Sequence, residues 1–208
     1  MTNPAKIIII DYGSGNLRSV AKAFEQFSNS VIVSSNSKEL ETASHIVLPG
    51  VGAFADCMAG LLALPNMIET MEKQVLEKNK NFIGICVGMQ MLFERGHEHG
   101  IHDGLGWIKG EVVPITPLQN LKIPHIGWNE LEINAPCPIL SGIKTGDHAY
   151  FVHSYHAKLA DASNLIAGVE YGEKITAIVG KNNIYGTQFH PEKSQKIGLR
   201  LLENFVNL

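Results

Sequence analysis

Cys86 stands in the run Phe82-Ile83-Gly84-Ile85-Cys86-Val87-Gly88-Met89-Gln90, an apolar strand that ends in Gly-x-Cys-x-Gly and opens into a helix-compatible segment. This is the pattern of a nucleophile elbow that carries a thiol. Glycine is needed two residues to either side because a Cβ there collides with the backbone of the sharp strand-to-helix turn. The turn pushes the thiol outward, and a helix N-terminus favours a thiolate through its dipole and its free backbone donors. A cysteine after an apolar run also has a plainer reading, as a small buried hydrophobe. Its companions must decide between the two.

A thiol nucleophile needs a base that takes its proton and later returns it to the leaving group, which is work for a histidine held by an acceptor. Of nine histidines, His97, His99 and His102 crowd a Gly-rich loop and His45 starts a strand. His190 differs. In Gln188-Phe189-His190-Pro191-Glu192 the proline biases His190 toward extended backbone, where residues two apart project to the same side. Glu192 can then hold the imidazole, fix its tautomer and stabilise its cation. Taken alone, His-Pro-Glu also fits a surface loop.

Attack on a carbonyl creates an oxyanion that requires two donors. The amide of Val87, next after the nucleophile, supplies one. The segment Leu48-Pro49-Gly50-Val51-Gly52 follows the third expected strand, and Gly50 or Gly52 permits the backbone orientation that exposes the other. An ordinary strand-to-helix turn reads the same way. A second glycine-rich loop, Asp11-Tyr12-Gly13-Ser14-Gly15-Asn16, is not a dinucleotide fingerprint, because the third glycine position holds Arg18. It reads as a packing turn or a surface for a partner.

The elements that must position these groups are legible as short, β-branched apolar runs at Lys6 to Ile10, Val31 to Val33, His45 to Leu48 and Phe82 to Ile85. Helical patterns separate them: Asn16 to Phe27, with Leu17, Val20, Ala23, Phe24 and Phe27 on one face, and Ala55 to Lys78, broken at Pro65. Alternating strands and helices predict an α/β fold, a doubly wound, mostly parallel central sheet with helices on both faces. After Gly96, strands are expected at Trp107 to Val113, Lys122 to Ile133, Ala149 to Lys158, Leu165 to Glu170, Thr176 to Gly180 and Asn183 to Gln188, as an appended antiparallel β region. A tight turn at Lys181-Asn182-Asn183 and a closing amphipathic helix near Ser194 to Val206 complete the expectation.

At 208 residues the chain suits a single domain, 1–208, and a net charge of -3 leaves no basic field for nucleic acid. The N-terminal Met-Thr-Asn-Pro-Ala-Lys runs into only four isoleucines, too short for a signal segment or a membrane span, so a cytoplasmic location is expected. Three cysteines, at 57, 86 and 137, give neither a disulfide framework nor metal-ligand spacing. Cys57 and Cys137 read as structural, and no metal or organic cofactor is called for.

The set Gly84-Ile85-Cys86-Val87-Gly88-Met89-Gln90 with a distant His190-Pro191-Glu192 resembles the class I glutamine amidotransferase family, in nucleophile, base, acid order. Four further segments resemble, within that family, the glutaminase subunits of imidazole glycerol phosphate synthases. They are Asp11 to Leu17, Leu48 to Phe54, Pro124-His125-Ile126-Gly127-Trp128-Asn129 and Tyr150-Phe151-Val152-His153-Ser154-Tyr155. The resemblance implies glutamine hydrolysis by a Cys86-His190-Glu192 triad and a heterodimer with a (β/α)₈ synthase subunit that uses the ammonia. That subunit would make imidazole glycerol phosphate and aminoimidazole carboxamide ribotide in histidine biosynthesis.

The resemblance further implies that Gly52, Gln90, Ser154 and Tyr155 hold the glutamine, and that Asn16, Trp128, Tyr150 and Lys193 face the synthase, Lys193 through a carboxylate there. It implies a switched enzyme, in which the Pro49 to Gly52 strand completes the oxyanion hole only when the synthase is occupied. Rival readings are a cysteine peptidase or thiol-dependent chaperone on the same kind of sheet, a non-catalytic partner module, and a paralogue that feeds ammonia to a related barrel enzyme modifying a surface sugar.

Overall fold

The computed structural model describes residues 5–116 and 121–208. The first four residues, on which the expectation of no signal segment partly rests, lie outside the described residues. In chain order the elements are β1 (Lys6–Ile10), α1 (Leu17–Phe24), β2 (Ser30–Ser34), β3 (His45–Gly50), α2 (Phe54–Ala63), α3 (Met67–Glu72), β4 (Asn81–Cys86) and α4 (Val87–Gln90). There follow β5 (Arg95–Gly96), β6 (His102–Asp103), β7 (Gly110–Pro114), β8 (His125–Glu130), β9 (Glu132–Ile133), β10 (His148–His153) and β11 (Tyr155–Leu159). The last are β12 (Leu165–Glu170), β13 (Lys174–Lys181), β14 (Ile184–Thr187) and α5 (Gln195–Val206).

One eight-stranded sheet, ordered β2-β1-β3-β4-β14-β13-β12-β9, forms the spine. Pairing is parallel from β2 through β14 and antiparallel from β14 to β9. The four isoleucines of β1 are all fully buried, as a strand covered on both faces requires. Helices flank the sheet: α1 packs with α5, and α2 with α3 and α4. No helix among the described residues is long and apolar enough to cross a membrane.

The first half follows the sequence expectation, with two refinements. Pro65 does end α2, and α3 runs on into a wide helical turn at Lys73–Glu77. Strand β3 continues past Leu48, so that Pro49 and Gly50 pair with Ile85 and Cys86 rather than forming a loop.

The second half departs further. Lys122 to Ile133 divides at Leu131, and Ala149 to Lys158 divides at Ser154, so each expected strand supplies two different sheets. The ribbon β8–β10 stands apart, and β11 and β7 join β5 and β6 in a four-stranded sheet. Trp107 and Ile108 lie outside β7 as buried loop residues. Strand β14 does not extend the antiparallel region outward; it enters the parallel set beside β4.

This topology gathers the chemistry at one edge. Parallel neighbours β1, β3, β4 and β14 deliver the Tyr12–Gly15 loop, the Val51–Gly52 turn, Cys86 and the segment after Thr187 to the same end of the sheet, where ligand sites of open α/β sheets form.

Candidate active site

Cys86 ends β4 with φ 55° and ψ −114°, backbone torsions that a residue with a Cβ rarely adopts. The close packing of its flanking glycines explains how the strain is held. A Cβ on Gly84 would lie 2.5 Å from the Gly88 carbonyl oxygen, and one on Gly88 would overlap the Leu48 carbonyl of β3. The elbow is thus clamped against the neighbouring strand. Although Cys86 is almost fully buried, it lines a cavity of about 280 Å³.

His190 lines the same cavity, and its Nδ1 is 2.9 Å from Glu192 Oε1. The Glu192 side chain is shielded from solvent behind the ring; His190 is extended as expected, but Pro191–Lys193 closes into a tight 3-10 turn, and it is this turn that brings the carboxylate to the imidazole. Burial alone opposes a charge on His190, but the sulfur of Cys86 and the carboxylate of Glu192 outweigh it and raise its pKa to about 9. Both neighbours thus favour the protonated ring over the neutral one.

Of the other residues singled out in the sequence, Val51, Gly52, Val87, Gln90, Ser154 and Tyr155 all line the cavity. Gly50 does not. It is buried in β3 opposite Cys86, where a Cβ would lie 2.6 Å from the Gly88 nitrogen and 2.9 Å from the Val87 Cβ. The expectation that it supplies an exposed donor thus meets a tightly packed strand residue, and the turn itself is Val51–Gly52, with Gly52 at φ 98°.

The glycine-rich loop after β1 packs onto that turn. The Tyr12 hydroxyl donates to the Pro49 carbonyl at 2.6 Å, and the Ser14 hydroxyl donates to the Val51 carbonyl at 2.5 Å. Burial pushes the Tyr12 phenol well above its ordinary value, so it remains a donor throughout the working pH range. Glu98, which sequence reasoning missed, and Pro124, Val152 and His153, which stand in the resembling segments without an assigned role, complete the cavity wall. Glu98 also accepts from the Phe54 N–H at 2.8 Å and so caps α2. An isolated acid in a Gly-rich loop carries no signal of that role.

Residues 8–208 match the family model described as glutamine amidotransferase class-I. The chain belongs to this family. The amidotransferase is 49% identical to imidazole glycerol phosphate synthase subunit HisH of Cereibacter sphaeroides, over 96% of this chain and 97% of that protein. It is 50% identical to the subunit HisH of Brucella abortus, over 97% of this chain and 98% of that one. A solved structure titled PurLQS from Thermotoga maritima superimposes with a TM-score of 0.75 at 19% identity, over 99% of both chains, which is a likeness of fold.

The four residues expected to face a partner sit on adjoining elements of the amidotransferase. Trp128 and Tyr150 are opposite one another in the β8–β10 ribbon, their rings 5.9 Å apart and edge-on. Lys193 is exposed in the turn Pro191–Lys193, which packs against β10 and α1, and Asn16 is the residue that precedes α1. Ile126 and Trp128 are 58% and 46% exposed on the outer face of the ribbon.

Proposed function

We propose that this chain is the glutaminase subunit of an imidazole glycerol phosphate synthase and that Cys86, His190 and Glu192 are its catalytic residues. The observation that carries the reading is the strained elbow thiol of Cys86 and the Glu192-bound imidazole of His190 in one cavity sized for a small molecule. Near-half identity to the subunit HisH along almost the full length supports the choice of synthase.

The Cys86 thiolate attacks the side-chain amide carbon of glutamine, and the carbonyl π pair moves onto oxygen. The Val87 N–H and a donor from the Val51–Gly52 turn receive that oxyanion. His190 gives its proton to the nitrogen as the C–N bond breaks, so ammonia leaves and a γ-glutamyl thioester remains. Neutral His190 then takes a proton from water as the hydroxide adds to the thioester. Collapse expels the thiolate and releases glutamate, and Glu192 holds the ring in one orientation through both steps.

Gly52, Gln90, Ser154 and Tyr155 hold the glutamine in this reading. Both hydrogens of the Gln90 amide nitrogen are already used, toward the Tyr155 carbonyl and Gln188, so the group it still offers is Oε1, an acceptor for the substrate's ammonium. The partner is a (β/α)₈ synthase subunit that docks on the face of Trp128, Tyr150, Asn16 and Lys193 and takes up the ammonia. Docking at Asn16 meets the end of the loop whose Ser14 hydroxyl donates to the Val51 carbonyl, a direct route to the oxyanion turn. The test is a glutaminase assay with and without the barrel subunit and its nucleotide ligand. A many-fold rise with the partner is expected, and an unchanged rate contradicts the assignment.

A further inference from the structure

Gln188 is fully buried and takes no part in the chemistry above. Its Nε2 lies 3.8 Å from Cys86 Sγ, and its Oε1 accepts from Gln90 Nε2 at 3.1 Å. The direction of this chain follows from the groups that anchor it. Gln90 Nε2 also donates to the main-chain carbonyl of Tyr155 at 3.0 Å, and a carbonyl only accepts. That contact fixes which end of the Gln90 amide is nitrogen. The second hydrogen of that nitrogen needs an acceptor, so Gln188 must present Oε1 to it and keep Nε2 for the sulfur.

The same carbonyl orders a second branch. His153 Nδ1 donates to Tyr155 O at 2.9 Å, which leaves His153 Nε2 as an acceptor for His125 Nδ1, also at 2.9 Å. His125 Nε2 then accepts from Asn129 Nδ2 at 3.2 Å. Burial lowers the pKa of His125 to about 4 and of His153 to about 3, and two neutral rings are what a one-way chain requires. The Tyr155 carbonyl is thereby pinned from both sides.

We propose that Gln188 is a further catalytic residue: its Nε2–H donates to the Cys86 sulfur and holds the thiolate for attack, aimed by the Tyr155 carbonyl through Gln90. The proposal rests on Cys86 being the nucleophile. Gln188 lends a hydrogen bond and transfers no proton; the proton moves only among Cys86, His190, the departing ammonia and water. The bond favours the thiolate before attack and again when hydrolysis of the thioester expels it, so both half-reactions depend on it. A span of 3.8 Å is long for such a bond, and it tightens as charge gathers on the sulfur.

The test uses the whole chain in complex with its synthase. Gln188→Met keeps the length and removes the donor. Alkylation of Cys86 by iodoacetamide, read at that residue by mass spectrometry, should slow ~10- to 100-fold at neutral pH, the size of a hydrogen bond to a charged group. It should match the wild type at a pH above the ordinary cysteine range, where the thiolate forms unaided. Glutaminase kcat at saturating glutamine should fall in step, and KM should rise as well because the substitution also frees Gln90 Nε2. A folded Gln188→Met with wild-type alkylation at neutral pH overturns the proposal.

Should Gln188→Met fail to fold, Gln188→Glu retains both the size and the acceptor toward Gln90 and puts a buried carboxyl group beside the sulfur. Burial protonates that carboxyl, and its O–H can replace the lost donor, so Gln188→Glu should alkylate faster at neutral pH than Gln188→Leu, which has no donor; equal rates for wild type, Gln188→Glu and Gln188→Leu overturn the proposal. Labelling of wild-type Cys86 by a glutamine-like chloroketone separates the two layers, because failure there removes the nucleophile assignment itself.

Discussion

The backbone N–H of His190 donates to the Tyr150 carbonyl at 3.1 Å, which ties the cavity's histidine to the residue whose ring stands beside Trp128. Ser194 closes the link from the other side: its hydroxyl accepts from Tyr150 N–H at 2.9 Å and donates to the His190 carbonyl at 2.7 Å. A protein docked on the outer face of the β8–β10 ribbon thus bears on a strand bonded directly to the proposed catalytic loop.

Trp128→Ala should weaken association with the barrel subunit by about 2 kcal/mol or more, as loss of a central aromatic anchor does. Titration calorimetry with the purified synthase reads it. The stimulated glutaminase rate should fall more than the basal rate. Unchanged affinity together with unchanged stimulation would show that the partner docks elsewhere.

The elbow makes a stability prediction. Gly88→Ala places a Cβ on the Leu48 carbonyl, where neither strand can give way cheaply, and should destabilise by about 3 kcal/mol in urea melts, at the upper end of overpacking costs. At Cys86 itself, the Gly variant should be more stable than the Ala variant by about 1 kcal/mol, because only glycine relaxes at φ 55°. Equal stability of the two would mean that the backbone holds no strain there.

These elbow features were legible because close backbone approach leaves glycines at fixed spacing around Cys86, and His-Pro-Glu preserves its geometry within three residues. The parallel half of the sheet was legible for a similar reason, since fully buried strands such as β1 read as unbroken apolar runs. The divisions at Leu131 and Ser154 were not. A chain that leaves one sheet for another keeps its extended, alternating pattern, and only long-range pairing shows where it crosses. The insertion of β14 beside β4 is equally non-local. Gln188 and His153 are ordinary polar residues in apolar runs, whose roles depend on partners 102 and 28 residues away in sequence.

The His190 cation gives stability that depends on pH. The Cys86 sulfur and the Glu192 carboxylate together raise its folded pKa from 6.5 to about 9, so the share that Glu192 gives is present below 6.5 and disappears as pH rises through 9. Glu192→Gln removes the ring's anionic partner. The gap in thermal midpoint between wild type and Glu192→Gln should be widest near pH 6 and close above pH 9. A gap that stays constant would place the charge elsewhere.

His125 and His153 act at the acid end with the opposite sign. Their folded values of about 4 and about 3 lie below 6.5, so the unfolded chain binds protons first and stability falls as pH drops from 6.5 toward those values. His125→Gln should cost stability at pH 7 yet flatten the loss between pH 6.5 and 4, as urea midpoints will report. An acid limb as steep as that of the wild type would contradict the neutral imidazole pair.

The most direct measurement compares glutamine-dependent and ammonium-dependent synthesis by the complex that contains Cys86→Ala. The account predicts that turnover with glutamine falls to background while turnover with added ammonium salts stays at the wild-type level, because this chain supplies ammonia and the partner does the rest. Glutamine turnover that survives, or loss of both activities in an intact complex, would contradict it.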